Sequence, residues 1–283
     1  MRTRTSEATR ALDNVFWHTL TGKHSKFSVG SGDTRRYARG FFPLVGFADP
    51  ESPDFDALAP HCQPGERFYC DGWAGPAPAG WRVEFDSRMR TMVWHGTSPA
   101  GDEAFEPTPL GPRHLSQVLA LAGLTRSVPF GPRTFELGDY VGHFDENGTL
   151  LAMAGERLHA DAHREISAVC THPDHRGKGL ARRLMTTLIR RQLRRNESPF
   201  LRVMVDNPTA HRLYEWMGFR NHRESTVRIV SYRATASVRD GQVASQDTLT
   251  HPHTPPAAAR WWRSPPPPPL PAPARHGRPG AGP

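Results

Sequence analysis

Residues 165–181 read Glu-Ile-Ser-Ala-Val-Cys-Thr-His-Pro-Asp-His-Arg-Gly-Lys-Gly-Leu-Ala. The run from Glu165 to Thr171 is strand-like, a glycine-bearing loop follows, and helical spacing of apolar residues begins at about Gly179 and continues to Arg195. Glycines at 177 and 179 carry no Cβ, so successive backbone N–H groups can turn toward one point at a helix N-terminus, where the helix dipole also favours an anion. A strand, a loop and a helix start of this kind form a pyrophosphate cradle. A lone Gly-x-Gly is also compatible with a tight turn that holds nothing, so the flanking sequence has to decide.

Upstream, Pro112 opens a helix in which Leu115, Val118, Leu119 and Ala122 share a face, ending near Gly123. Strands are predicted over 137–142 and 149–154, paired through the turn Asp145-Glu146-Asn147-Gly148. Downstream come a strand over 200–205, a helix from Asn207 or Pro208 to Met217, and a last strand over 227–230. This order predicts a mixed α/β sheet flanked by helices. Residues 1–105, with aromatic runs such as Phe41-Phe42 and Met92-Val93-Trp94 among many glycines and prolines, are expected to form a smaller α/β unit, and residues 106–233 the main domain. Residues 234–283, crowded with prolines including the run Pro265–Pro269, lack any core-forming period and are expected to be a disordered tail.

Two motifs make the assignment specific. Arg176-x-x-Gly179-x-Ala181 resembles the Q/R-x-x-G-x-G/A coenzyme A signature of the GNAT N-acetyltransferase superfamily, with Thr171-His172-Pro173 where that family usually has Val-x-Pro. Asn207 through Phe219, with Tyr214 seven residues after Asn207, resembles the family's N-x-x-A-x-x-L-Y-x-x-x-G-F ending. The resemblance covers roughly residues 110–233 and is strongest to the glycine N-acyltransferase-like branch, which often carries a degenerate GNAT fold in its first half. It implies a mostly antiparallel GNAT sheet and transfer of an acetyl group from acetyl-coenzyme A to a small-molecule or peptide amine in a ternary complex. A Rossmann site is excluded by the absence of G-x-G-x-x-G, and a Walker loop by the absence of G-x-x-x-x-G-K-[ST].

The same resemblance implies the residue roles. The backbone of Val169, Cys170 and Thr171 pairs with the pantetheine arm, and the segment from Arg176 through Gly177, Lys178, Gly179, Leu180 and Ala181 to Arg182 holds the pyrophosphate. Cys170 itself reads as a small buried residue. Acyl transfer needs the amine deprotonated, because an alkylamine with a pKa near 10.4 is almost all charged at neutral pH. Glu165, eleven residues before Arg176, sits at the spacing where histone-acetylating relatives place a catalytic glutamate. Glu156 and a water relay are the alternatives, and a plain strand-end carboxylate is the structural reading of Glu165. Tyr214 is placed to protonate the leaving thiolate or to pack its helix, and Asn207 to bond the pantetheine or cap the helix.

The formal net charge is +8, with Arg176, Lys178, Arg182, Arg183, Arg190, Arg191, Arg194 and Arg195 concentrated after the loop. The first few suit cofactor phosphates and the later four a solvated helix face. No aromatic-interleaved motif accompanies this charge, so nucleic acid is not the expected partner. His159, His163, His172 and His175 lack the spacing of a zinc site, so no metal is expected. Three cysteines make no disulfide framework, no stretch approaches the roughly 20 apolar residues of a membrane span, and no signal-peptide core follows Met1, which together predict a cytoplasmic protein. A non-catalytic acyl-coenzyme A sensor is the alternative function. Truncation after Arg233 is expected to leave the melting temperature and cofactor affinity unchanged, which differential scanning calorimetry and titration calorimetry would check.

Overall fold

The computed structural model describes residues 9–102, 104–125 and 129–233. The proline-rich stretch expected to be a tail lies outside them. Residues 9–61 contribute helix α1 (Val15–Thr21), a small antiparallel sheet of β1 (Ser28–Val29), β2 (Thr34–Tyr37) and β3 (Val45–Phe47), and the short helix α2 (Phe55–Leu58), capped by the Asp54 carboxylate accepting from the Ala57 amide at 2.8 Å. Strands β4 (Arg67–Asp71) and β5 (Trp81–Trp94) follow, then β6 (Thr108–Pro109) and helix α3 (Leu115–Thr125). The remaining elements are β7 (Tyr140–Phe144), β8 (Leu150–Ala160), β9 (His163–Thr171), helix α4 (Leu180–Arg194), β10 (Ser198–Met204), helix α5 (Pro208–Met217) and β11 (Phe219–Tyr232).

Among the described residues, eight strands form one sheet in the order β4-β11-β5-β10-β9-β8-β7-β6. Every pairing is antiparallel except β9 with β10, which α4 joins by a crossover. β4 and β5, from the first 105 residues, are hydrogen-bonded into the same sheet as the strands of residues 106–233, with β5 inserted between β10 and β11.

Several strands exceed their sequence-based limits for identifiable reasons. β5 and β11 pair along almost their whole lengths, and the polar side chains of Arg82, Glu84, Asp86 and Arg88 alternate on the exposed face of that ribbon. β8 runs on to Ala160 because register shifts at Met153/Gly155 and Glu156/His159 break its two-residue period. Leu137, read as the start of a strand, instead ends a 3-10 turn over Thr134–Leu137, and β7 begins at Tyr140.

Cores cover both faces of this sheet. On one, α4 buries Leu184, Met185, Leu188 and Ile189 against Val141, Ala152, Ile166 and Leu201. At roughly 1.5–3 kcal/mol per buried side chain, this apolar stripe docks the helix, and its exposed arginine pairs, each worth at most about 1 kcal/mol, do not. On the other face α1 packs Val15, Phe16 and Leu20 with Phe41, Phe42, Leu158 and Phe200. A third cluster, centred on Phe55, Trp73 and Trp81, closes the β4 end. No described helix is long and apolar enough to cross a membrane.

Between α1 and β8 lies a pair of neutral imidazoles. The His24 Nδ1 sits 2.7 Å from the Tyr37 hydroxyl, and its ring meets that of His159 edge-on at 6.2 Å. Burial, reinforced by the Arg164 charge, pushes His24 down to about 3 and His159 down to about 4. Between pH 6.5 and those values the unfolded chain binds protons that the folded chain refuses, so this contribution to stability is complete above pH 6.5 and is lost as pH falls. The melting temperature is therefore expected to drop from pH 7 to pH 4, and to drop less steeply in His24→Asn, as thermal melts across that range would show.

Candidate acyl-transfer site

The site begins where the one parallel pair ends. β9 and β10 stay in register from His163/Ser198 to Ile166/Leu201, and then the ladder stops although β9 continues to Thr171 and β10 to Met204. The divergence coincides with Ala168, whose φ of 53° places a residue with a Cβ in the left-handed region, and with a register shift on the β8 side. Such a conformation costs about 1–2 kcal/mol, and here it turns β9 away from β10 and leaves a wedge in the sheet lined by main chain. Val169, Cys170 and Thr171 form the β9 wall of this wedge. Cys170 is buried, as its reading as a small packed residue requires.

The loop leaving β9 crosses the C-terminal end of the pair. Pro173–His175 forms a 3-10 turn with the His172 Nδ1 accepting from the Asp174 amide at 3.3 Å. Gly177 and Gly179 follow at φ of 77° and 75°, conformations that L side chains rarely adopt. A Cβ built at Gly177 would meet nothing within 4 Å, and one at Gly179 would meet only the Arg182 guanidinium, so both glycines face open space. Gly179 is the N-cap of α4 and makes no side-chain cap, and its carbonyl takes the Arg183 amide at 3.1 Å. The first-turn amides of Leu180, Ala181 and Arg182 thus lie at the positive end of a fifteen-residue helix dipole. Arg176 and Lys178 add charge to the loop. This donor set suits a diphosphate.

Across the wedge, Asn207 caps α5, its side chain accepting from the Ala210 amide at 3.1 Å. Tyr214, about two turns further on, is partly buried against the α4-side core with its ring 6.3 Å from that of Phe219, and burial pushes its phenol up to about 12. It stays a proton donor across the neutral range.

Glu165 is placed differently from an open strand-end carboxylate. Its side chain leaves the opposite face of β9 from Ile166 and is 1% exposed, and both its oxygens accept from Arg157, at 3.1 Å each. Arg157 is buried too, with its guanidinium 4.2 Å from the centre of the Phe42 ring. Glu156, the alternative base, is on the α4 side and equally occluded. It accepts from Gln192 at 3.0 Å, from the Asp139 amide at 3.2 Å and from Arg195, and so anchors the C-terminal end of α4 to β8. Arg191 and Arg195, expected on a solvated face, pair with Asp139, and Arg195 also with Glu197, because Asp139 and Glu197 approach from outside the helix. Sequence reading missed Arg157, since nothing in an arginine inside a run of apolar residues marks a partner eight positions on. Among the described residues no group of three or more His, Cys, Asp or Glu side chains could hold a metal ion.

Comparison with known proteins agrees with this geometry. The FR47-like protein family matches residues 140–229. A GNAT-family protein from Novosphingobium aromaticivorans is 31% identical, with a TM-score of 0.70 over 79% of this chain and 99% of that one. A GCN5-related N-acetyltransferase from Kribbella flavida (13% identity, TM-score 0.50, 78% and 97% covered) and a GCN5-related N-acetyltransferase-like protein from Streptococcus suis (16%, 0.51, 81% and 99%) share the fold. No match was found among curated proteins.

Breaking the buried ion pair on one side strands the other charge. Arg157→Met is expected to destabilise the protein by about 3–5 kcal/mol, with most of that recovered in Arg157→Met/Glu165→Leu, as urea unfolding of the two variants would reveal.

Proposed function

This chain belongs to the GNAT acetyltransferase family, and from that premise we propose that it transfers the acetyl group of acetyl-coenzyme A to a primary amine by direct attack in a ternary complex. The observation that carries the proposal is the wedge between β9 and β10 opening onto the Gly177–Gly179 cradle at the α4 N-terminus. A thioester bound there supplies an activated carbonyl and a thiolate leaving group. Val169, Cys170 and Thr171 offer main chain to the pantetheine arm, and an N–H of this segment is positioned to polarise the carbonyl oxygen. Backbone amides from Gly177 to Arg182, with Arg176 and Lys178, hold the diphosphate. Asn207 fixes the α5 start that borders the arm.

As the amine nitrogen bonds to the carbonyl carbon and the carbon–sulfur bond breaks, Tyr214 donates its proton to the sulfur, and the proton lost by the acylated nitrogen passes through water to restore the phenol. Glu165 enters this scheme as the partner of Arg157, with no oxygen offered to an acceptor, and the amine reacts from its free-base fraction. Resemblance to the glycine N-acyltransferase-like branch puts free amino acids at the head of the acceptor panel. The occlusion of Glu165 also favours a second reading, an acyl-coenzyme A-binding protein without turnover. Thiol release from acetyl-coenzyme A over a panel of amines and amino acids separates the two.

Gly179→Val puts a branched side chain where a phosphate must approach, at a φ hostile to it, and is expected to abolish coenzyme A binding in calorimetry. Tyr214→Phe is expected to lower kcat at least about tenfold at every pH with cofactor affinity unchanged. Glu165→Gln is expected to lower the melting temperature but kcat by less than about tenfold, and a larger loss rescued at high pH would return the base role to Glu165.

A further inference from the structure

Trp216 is the most exposed large apolar side chain among the described residues, at 69%, although Ala210, Tyr214 and Met217 of the same helix pack into the core. An indole in water costs solubility and contributes nothing to the fold. Its surroundings are specific. The Arg182 guanidinium lies 5.6 Å from the ring centre, and a Cβ built at Gly179 would be 3.7 Å from the Arg182 Nη2. Arg182 therefore spans from the phosphate cradle to the indole. Its neighbour Arg183 is neutralised by Asp102 at 2.9 Å, whereas no carboxylate among the described residues pairs with Arg182. Both Trp216 and Arg182 line a groove of about 710 Å³ between α4, α5 and residues 99–102 and 105–107.

Distance along α4 decides which part of this groove serves the cradle. At about 1.5 Å of rise per residue, Arg182 is about 4.5 Å along the helix from Gly179, whereas Arg190 and Arg194 are about 16 and about 22 Å away. A nucleoside joined to a diphosphate on the loop reaches the first of these and not the others. An exposed indole beside an unpaired guanidinium is the chemistry that stacks a purine and holds a phosphate near it.

We propose that Trp216 and Arg182 form the nucleoside subsite of this cofactor site, with Trp216 stacking the adenine of coenzyme A and Arg182 pairing with its 3′-phosphate; this rests on the acyl-coenzyme A reading above. Titration calorimetry of the full chain with coenzyme A, dephospho-coenzyme A and 4′-phosphopantetheine tests it. Trp216→Ala is expected to weaken both nucleotides about tenfold and to leave 4′-phosphopantetheine unchanged, with Trp216→Phe restoring most of the loss. Arg182→Gln is expected to weaken coenzyme A about fivefold more than dephospho-coenzyme A. Wild-type affinity of Trp216→Ala for coenzyme A, or an equal loss for all three compounds, overturns the subsite while leaving the acyl-transfer reading intact. Failure of the wild-type protein to bind coenzyme A overturns the acyl-transfer reading, and the subsite with it.

Discussion

The structure depends on one parallel strand pair that is allowed to come apart. A sheet normally satisfies every main-chain donor and acceptor through its neighbours, and an interior opening is costly unless something else fills it. Here β9 and β10 are locked over His163–Ile166 and freed beyond, with Ala168 holding the strained conformation that turns β9 aside. The crossover through α4 then brings a helix N-terminus to the mouth of the opening, so main-chain polarity and helix dipole converge on one place. The apolar stripe of α4 makes this arrangement stable enough to carry the strain.

The opposite face is organised around a buried charge pair. Arg157 and Glu165 pair beneath Phe42, so the first half of the chain covers this face of β9. A pair this occluded contributes little net stability, yet neither member can be lost alone. It ties the packing of the first half to the strand that forms one wall of the wedge.

Much of this was legible in the sequence wherever local chemistry dictates local form. The two glycines at positive φ, the helix after them, the Asn207 cap and the Asp145–Gly148 turn all follow from short-range rules, and each lies where its residues predict. Long-range partnerships were not legible. Glu165 looks the same in sequence whether it faces water or Arg157, and the alternation of charged and apolar residues over Trp81–Arg90 marks a strand without saying which strands it pairs with. Its identity as a central strand depends on β10 and β11, more than a hundred residues away. The same applies to Asp139 and Glu197, whose pairing with Arg191 and Arg195 is a matter of tertiary placement.

The insertion of β5 between β10 and β11 has a consequence for biosynthesis. β5 ends at residue 94 and β10 begins at residue 198, so 103 residues lie between a central strand and the first of its two neighbours. At about 5–20 residues per second, the ribosome takes on the order of 5–20 s to deliver that neighbour, and longer to deliver β11. Throughout that interval the nascent chain carries a fourteen-residue strand with both edges unpaired. The charges along it, Arg82, Glu84, Asp86, Arg88 and Arg90, are the kind of side chain that keeps a waiting strand from pairing with the wrong chain. Because they alternate with apolar residues, the charges recur at every second position along one face of the waiting strand.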